Sequence, residues 1–169
     1  RGDLQEAKSK LAKALQTNYY WTGCETPYKY IEPKIFAEPR LVNKNGDDLY
    51  DYKFFCFDGE VKYLFIAKDR ENKNVETKFD FFDENFNHLP FTNGHPNAVN
   101  TPKKPEGLEA MIALAEKLGE GIPHARVDLY NIGGKIYFGE ITFFHWSGMK
   151  PFEPEEWDYK LGQWITLPK

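Results

Sequence analysis

Residues 124–142 read His-Ala-Arg-Val-Asp-Leu-Tyr-Asn-Ile-Gly-Gly-Lys-Ile-Tyr-Phe-Gly-Glu-Ile-Thr, and the fold of the chain turns on them. Two β-branched and aromatic runs flank Gly133-Gly134, the pattern of a β-hairpin. Successive residues of a strand point to opposite faces. Arg126, Asp128 and Tyr130 therefore share one face of the first run, and Val127 and Leu129 the other. In the second run Phe138, Glu140 and Thr142 share a face opposite Tyr137 and Ile141. The turn decides whether the two acids meet. A two-residue Gly-Gly turn pairs residues whose numbers sum to an odd value and sends Asp128 and Glu140 to opposite faces. An odd-length loop, 132–134 or 133–135, brings Arg126, Asp128, Glu140 and Thr142 together, and three-residue hairpin loops with a left-handed glycine are common.

Two carboxylates side by side on rigid strands repel unless a cation or a proton sits between them. Oxygen-only ligation with a hydroxyl nearby suits Mg²⁺, which takes one or two carboxylates plus substrate phosphates. Arg126 on the same face supplies a planar donor fork for a phosphate or acyl-phosphate oxygen. On repulsion grounds, removing either acid is expected to leave the metal-free protein as stable as before or slightly more so. The competing reading is a solvated hairpin face with an Arg–Glu cross-strand pair.

Arg126-Val127-Asp128, the glycine turn and Tyr137-Phe138-Gly139-Glu140-Ile141-Thr142 resemble the metal-binding hairpin of the ATP-grasp superfamily. The pattern there is Arg-x-Asp on one strand and Glu-x-Asn on the next, and Thr142 stands where most members carry Asn. Together with 51–59 (Asp-Tyr-Lys-Phe-Phe-Cys-Phe-Asp-Gly) and 154–162 (Pro-Glu-Glu-Trp-Asp-Tyr-Lys-Leu-Gly), nearly the whole chain is similar to the TupA-like ATP-grasp family. Those proteins are encoded among genes for bacterial capsule and other surface polysaccharides and are often labelled glycosyltransferases. The resemblance implies ATP and Mg²⁺ as cofactors. It implies that Asp128 and Glu140 hold the metal, with Thr142 in a weaker third place, and that Arg126 stabilises the transferring phosphoryl group. Glu38, ending a hinge strand, and Asp51 would hold the nucleoside. The implied reaction is ligation: ATP phosphorylates a carboxylate, and an amine or similar nucleophile displaces the acyl-phosphate.

The composition is that of a folded protein, with 41% hydrophobic and 17% aromatic residues in 169. A formal net charge of -4 argues against nucleic-acid binding by phosphate neutralisation. Cys24 and Cys56 form no metal-type spacing and are too few for a disulfide scaffold, so reduced thiols and a cytoplasmic location are expected. No run approaches the roughly 18–20 apolar residues of a membrane span, and no signal peptide is visible.

Residues 3–16 have helical periodicity, with Asp3 as N-cap, Glu6 where a capping-box partner belongs, and Leu4, Ala7, Leu11, Ala14 and Leu15 in one stripe. The rings of Tyr19, Tyr20, Trp21, Tyr28 and Tyr30 are assigned to packing, with a stacking platform as the alternative. A strand is expected at 33–41, stopped by Pro39, and a turn at Asn45-Gly46. Residues 50–67 form a hairpin about Asp58-Gly59, with Asp51, Lys53, Phe55 and Phe57 on one face. Lys53 then either meets phosphate or substrate, as a catalytic group, or makes a cross-strand salt bridge. Lys68-Asp69-Arg70 reads as solvated, with a phosphate role for Lys68 or Arg70 as the alternative. A strand at 74–82, a long loop at 83–104 with surface histidines His88 and His95, and a helix at 105–118 follow. After Thr142, Ser147 and Gly148 offer backbone N–H groups to an anion, and His145 is either packed or orients substrate. A helix at 154–164 docks through Trp157, Leu161 and Trp164.

The expected fold class is α+β and ATP-grasp-like, antiparallel β-hairpins in a sheet packed with helices, with the lid only partly present. Residues 1–38 are expected to be the tail of the lid and 39–169 the C-terminal core with the metal-binding hairpin. ATP-grasp lids carry a phosphate-binding lysine and a glycine-rich turn upstream of the hinge. Nothing before residue 33 fits, and the chain opens on Arg1. The expected partners are therefore a nucleotide, a glycan or glycan precursor, and a missing N-terminal half, without which this piece is expected to bind nucleotide weakly or be inactive. A glycosyltransferase also uses paired acids and a metal, but normally needs a Rossmann-like half that is not visible. A non-catalytic carbohydrate-binding module would explain the aromatic content without a metal.

Overall fold

A computed structural model of the chain describes residues 3–43, 49–70 and 74–167. The chain divides into two compact units, Arg1–Arg40 and Leu41–Lys169. The expected Asn45-Gly46 turn lies outside the described residues.

The first unit opens on helix α1, Leu4–Leu15, capped by the Asp3 carboxylate, which accepts from the main-chain N–H groups of Gln5 and Glu6. Glu6 turns to Lys10 at 2.6 Å in place of a capping box. None of the α1 residues is buried, so the apolar stripe lies at the surface. The short helix α2, Tyr20–Gly23, and a 3₁₀ turn at Thr26–Tyr30 follow. Asn18 ties them together, accepting from Tyr20 N and donating to Lys29 O. The rings meant for packing are mostly exposed instead: Tyr19 makes a T-shaped pair with Tyr28, Trp21 one with Tyr20, and Tyr30 lies under Lys29, all three rings open to solvent. The strand expected at 33–41 is absent. It pairs with no strand among the described residues, Pro33 and Pro39 remove two donors, and Ile35 and Phe36 stand exposed.

The second unit is built on a five-stranded, fully antiparallel sheet of order β3-β2-β1-β4-β5. Strands β1, Asp51–Phe57, and β2, Glu60–Lys68, are joined by Asp58-Gly59, both at positive φ, which suits a twisted two-residue hairpin. Strand β3 is Lys78–Asp83, β4 is His124–Ile132 and β5 is Lys135–Thr142. The expected α+β class, antiparallel hairpins with helices packed on them, is the architecture observed.

Each face of the sheet carries its own core. One holds Phe54, Leu64, Ile66, Phe82, Val127 and Leu129 against helix α3, Leu108–Gly119, which enters through Leu108, Met111 and Ala115. The other holds Phe55, Phe57, Tyr63, Phe65, Phe79 and Phe81. Helix α4, Glu156–Gly162, covers it with Trp157 and Leu161, Trp164 packs just beyond, and the long loop inserts Phe91. That loop is pinned by Thr92, which exchanges both main-chain hydrogen bonds with Glu153. No helix among the described residues is long and apolar enough to cross a membrane.

The β4–β5 hairpin resolves the question its sequence poses. Its turn is the two-residue one: Ile132 pairs with Lys135, and Gly133 and Gly134 have φ of 58° and 81°. That parity would part the acids. A β-bulge between Asp128 and Leu129 resets it, Gly139 being the extra residue on β5, and Asp128 pairs directly with Glu140. A Cβ at Gly139 would stand 3.0 Å from the Asp128 carbonyl oxygen and 3.1 Å from the Tyr130 ring. The carbonyl belongs to an inner strand and cannot retreat without opening the ladder. Gly139→Ala is therefore expected to lower stability by about 1–3 kcal/mol, the range for overpacking, read as a lower denaturant midpoint. A neutral or stabilised variant would show that the bulge has room.

Candidate functional site

The register of three adjacent strands assembles the polar cluster. Lys53 on β1, Asp128 on β4 and Glu140 on β5 form one row across the sheet, and Phe55, Arg126 and Thr142 form the next. All seven β1 residues are buried, and its site face changes from Phe57 and Phe55 to Lys53 and Asp51 along its length. Asp128 is only 1% exposed.

Arg126 grips Asp128 with two bonds, Nε to Oδ1 at 2.7 Å and Nη2 to Oδ2 at 2.9 Å. The same Nη2 reaches Glu140 Oε1 at 3.2 Å and Thr142 Oγ1 at 2.9 Å. Nη1 is directed at His145 Nδ1, 2.8 Å away. Lys53 Nζ donates to Asp128 Oδ2, lies 2.8 Å from Asp51 Oδ2, and is 4.0 Å from Glu140. Arg70 closes the other side through a bond to Asp51 Oδ2. Asp51, Asp128 and Glu140 thus face Lys53, Arg70 and Arg126, three charges of each sign. The two acids of the hairpin do share a cation, and it is the guanidinium of Arg126.

Burial works against a charged Arg126, but its bonds to Asp128 and the charges of Asp128, Glu140 and Asp51 prevail and raise its pKa. Lost hydration, then the Asp128 carboxylate beside it, hold Glu140 above the ordinary carboxylate range, with Lys53 and Arg126 opposing. Burial, then Arg126, push His145 down to about 3, so its ring is neutral at physiological pH.

Above the cluster lies a cavity of about 290 Å³ lined by Lys53, Arg70, Arg126, Glu140, Phe65, Phe79, His95, Thr77, His145 and Trp146. Among the expected site residues, Arg126, Lys53 and Glu140 line it. Asp51 and Asp128 lie beneath Lys53, and Asp51 Oδ1 is a buried acceptor with no partner among the described residues. Thr142 is held by Arg126. Glu38 is exposed in an irregular segment of the first unit. Arg70, read as solvated, is an ion-pair partner of Asp51, and His95, read as a surface residue, lines the cavity; both contacts are tertiary and leave no local pattern. Trp146, Ser147 and Gly148 all adopt positive φ just after β5.

The donors fit Mg²⁺ by chemistry. Asp128, Glu140 and Thr142 offer hard oxygens on one face, and Glu140, with 62% of its side chain exposed, opens to the cavity. No group of three or more His, Cys, Asp or Glu residues able to hold a metal is found among the described residues.

An antiparallel sheet with clustered acids and bases on one face is in keeping with the ATP-grasp class. The TupA-like ATP-grasp family model matches residues 1–166, and the chain belongs to that family. ATP-grasp proteins generally use ATP and Mg²⁺. Comparison with curated proteins and with solved structures gives no match.

The cluster changes the expectation for Asp128, which is not repelled but held by Lys53 and Arg126. Asp128→Asn is expected to lose about 3–5 kcal/mol, the cost of leaving buried partners unpaired, measured by denaturant unfolding. Glu140 behaves oppositely. Its folded pKa is raised, so the stability tied to its neutral form is present below the unfolded carboxylate value and is lost as pH rises through the folded one. Without ligand, Glu140→Gln should melt above wild type at pH 7, and the gap should close below about pH 4. A gap that widened in acid would contradict this.

Proposed function

We propose that this cleft is the nucleotide face of an ATP- and Mg²⁺-dependent carboxylate–amine ligase acting in bacterial surface polysaccharide synthesis. The carrying observation is Asp128 in register with Glu140, flanked by Arg126 and Lys53 at an open cavity, in a chain of the TupA-like ATP-grasp family. Residues 1–38 are read as lid tail and 39–169 as core.

In this reading Glu140 and Asp128 hold the metal, with the Thr142 hydroxyl beside them. Bound Mg²⁺ supplies charge neutralisation on the phosphate oxygens. Lys53 and Arg126 are charged, line the cavity and already lie against carboxylate oxygens. An incoming phosphate oxygen offers the same kind of acceptor, so both cations can turn to it without losing a charged partner. Arg126, with its planar fork, stabilises the transferring phosphoryl group, and Lys53 moves with substrate as a point charge. The unfilled oxygen of Asp51 suits a nucleoside hydroxyl donor. Trp146, 40% exposed at the cavity, gives a glycan acceptor an apolar face to pack on.

Thermal melts with and without Mg-ATP test the reading. Ligand at about a hundred times Kd stabilises by about 2.7 kcal/mol, roughly 5–10 °C for a chain of this size. Wild type should show this shift only when both Mg²⁺ and ATP are present, and Glu140→Gln should lose most of it while still folding. An undiminished shift in Glu140→Gln would remove the metal role. A shift with nucleotide sugar in place of ATP would favour a glycosyltransferase, and one with oligosaccharide alone a binding module.

A further inference from the structure

Arg126 is the residue on which the cluster converges, and one of its two terminal nitrogens is spent on a histidine. The chain of bonds from that histidine can be followed to its end. Arg126 Nη1 lies 2.8 Å from His145 Nδ1, His145 Nε2 lies 2.9 Å from Asn93 Oδ1, and Asn93 Nδ2 donates to the main-chain oxygens of Lys150 and Pro151 at 3.0 and 2.9 Å. Each direction is forced. Carbonyl oxygens only accept, so the amide nitrogen of Asn93 faces them and its oxygen faces His145. An oxygen only accepts, so His145 Nε2 carries the proton. A guanidinium only donates, so His145 Nδ1 carries none. The two ends of the chain independently demand the same tautomer.

The relay is rigidly mounted. Asn93 has no exposed surface. Thr92 beside it is bonded to Glu153 in both directions, which holds residue 93 against the 150–151 carbonyls. The imidazole stands edge-on to Phe55, 5.2 Å between centroids at 87°, with Phe65 at 5.5 Å. The charged or titratable groups around it are Arg126, Asp128, Lys53 and His124, and burial with Arg126 keeps the ring neutral.

We propose that His145 and Asn93 are positioning residues: Asn93 fixes His145 as the Nε2–H tautomer, and the free Nδ1 lone pair orients the Arg126 guanidinium over Asp128, Glu140 and Thr142. The other tautomer would set an N–H against Arg126 Nη1–H, donor against donor, and turn the fork away from the hairpin acids. The consequence for phosphoryl binding rests on the functional reading above; the tautomer does not.

Nitrogen NMR of the wild-type protein decides the first part without any variant. His145 should show an unprotonated Nδ1 and a protonated Nε2 at every pH between 5 and 8. An imidazolium or an Nδ1–H ring in that interval overturns the relay. Asn93→Ala should admit the Nδ1–H form and loosen the Arg126 side-chain signals. Should that variant not fold, His145→Ala and His145→Asn take its place. The alanine is expected to weaken Mg-ATP binding roughly tenfold, the low end for groups that orient a binding residue. The asparagine, whose carboxamide oxygen can stand where Nδ1 stood, should recover part of it. Unchanged Arg126 signals in His145→Ala overturn the orienting role. A wild-type protein indifferent to Mg-ATP overturns the functional reading, and the tautomer and Arg126 signals then still decide the relay.

Discussion

Asp128 must keep its charge inside the sheet, and the surroundings of the site follow from that demand. A carboxylate taken out of water costs several kcal/mol unless its oxygens are met by donors of opposite charge. Arg126 meets both oxygens from two residues away on the same strand, and Lys53 meets one from the neighbouring strand. Each of these cations is itself buried and needs more than one acceptor. Lys53 finds Asp51, and Arg126 finds Glu140, Thr142 and His145. The cluster is closed at its base and open at Glu140 and Arg70, the two members with the most exposed side chains. Charge balance without ligand makes the site stable enough to wait, and the open members give ligand a place to enter.

How much of this the sequence discloses depends on how local the cause is. Asp58-Gly59 needs only its own two positive φ angles, and that hairpin is legible at once. The meeting of Asp128 and Glu140 is legible in its outcome but not in its means. The alternation of the strands asks for an odd correction, and the chain places it at Gly139 in the ladder rather than in the turn. A glycine flanked by aromatic and acidic residues in a strand is the only trace of it. Arg70 meets Asp51 across the open end of one hairpin, a pairing its charge pattern does not single out, whereas Asn93 depends on neighbours more than fifty residues along the chain. The segment at 33–41 has strand-like residues, yet a strand exists only where another lends it hydrogen bonds.

The family match and the cluster bear on function at different levels. Membership in the TupA-like ATP-grasp family gives the chemistry a class. The cluster gives that class a set of atoms: an acid pair in register, two buried cations against it, and aromatic residues lining the cavity. Thr142, in place of the more usual asparagine, keeps an oxygen at its position and is bonded to Arg126.

The order of the strands has a consequence for how the protein comes off the ribosome. Strands β1, β2 and β3 form a meander of neighbours in sequence, complete before β4 and β5 are made, and local pairings of this kind form early. Through that interval the free edge of β1 carries Lys53 beside Asp51, with Asp128 still 75 residues away. The arrival of the second hairpin both covers the edge and brings the missing charge. The peg that orients Arg126 comes later again, since Asn93 waits for the carbonyls of Lys150 and Pro151. A chain that stopped short of them would carry the acid pair and its cations but lack the carbonyls that hold Asn93, and with them the fixed direction of the arginine.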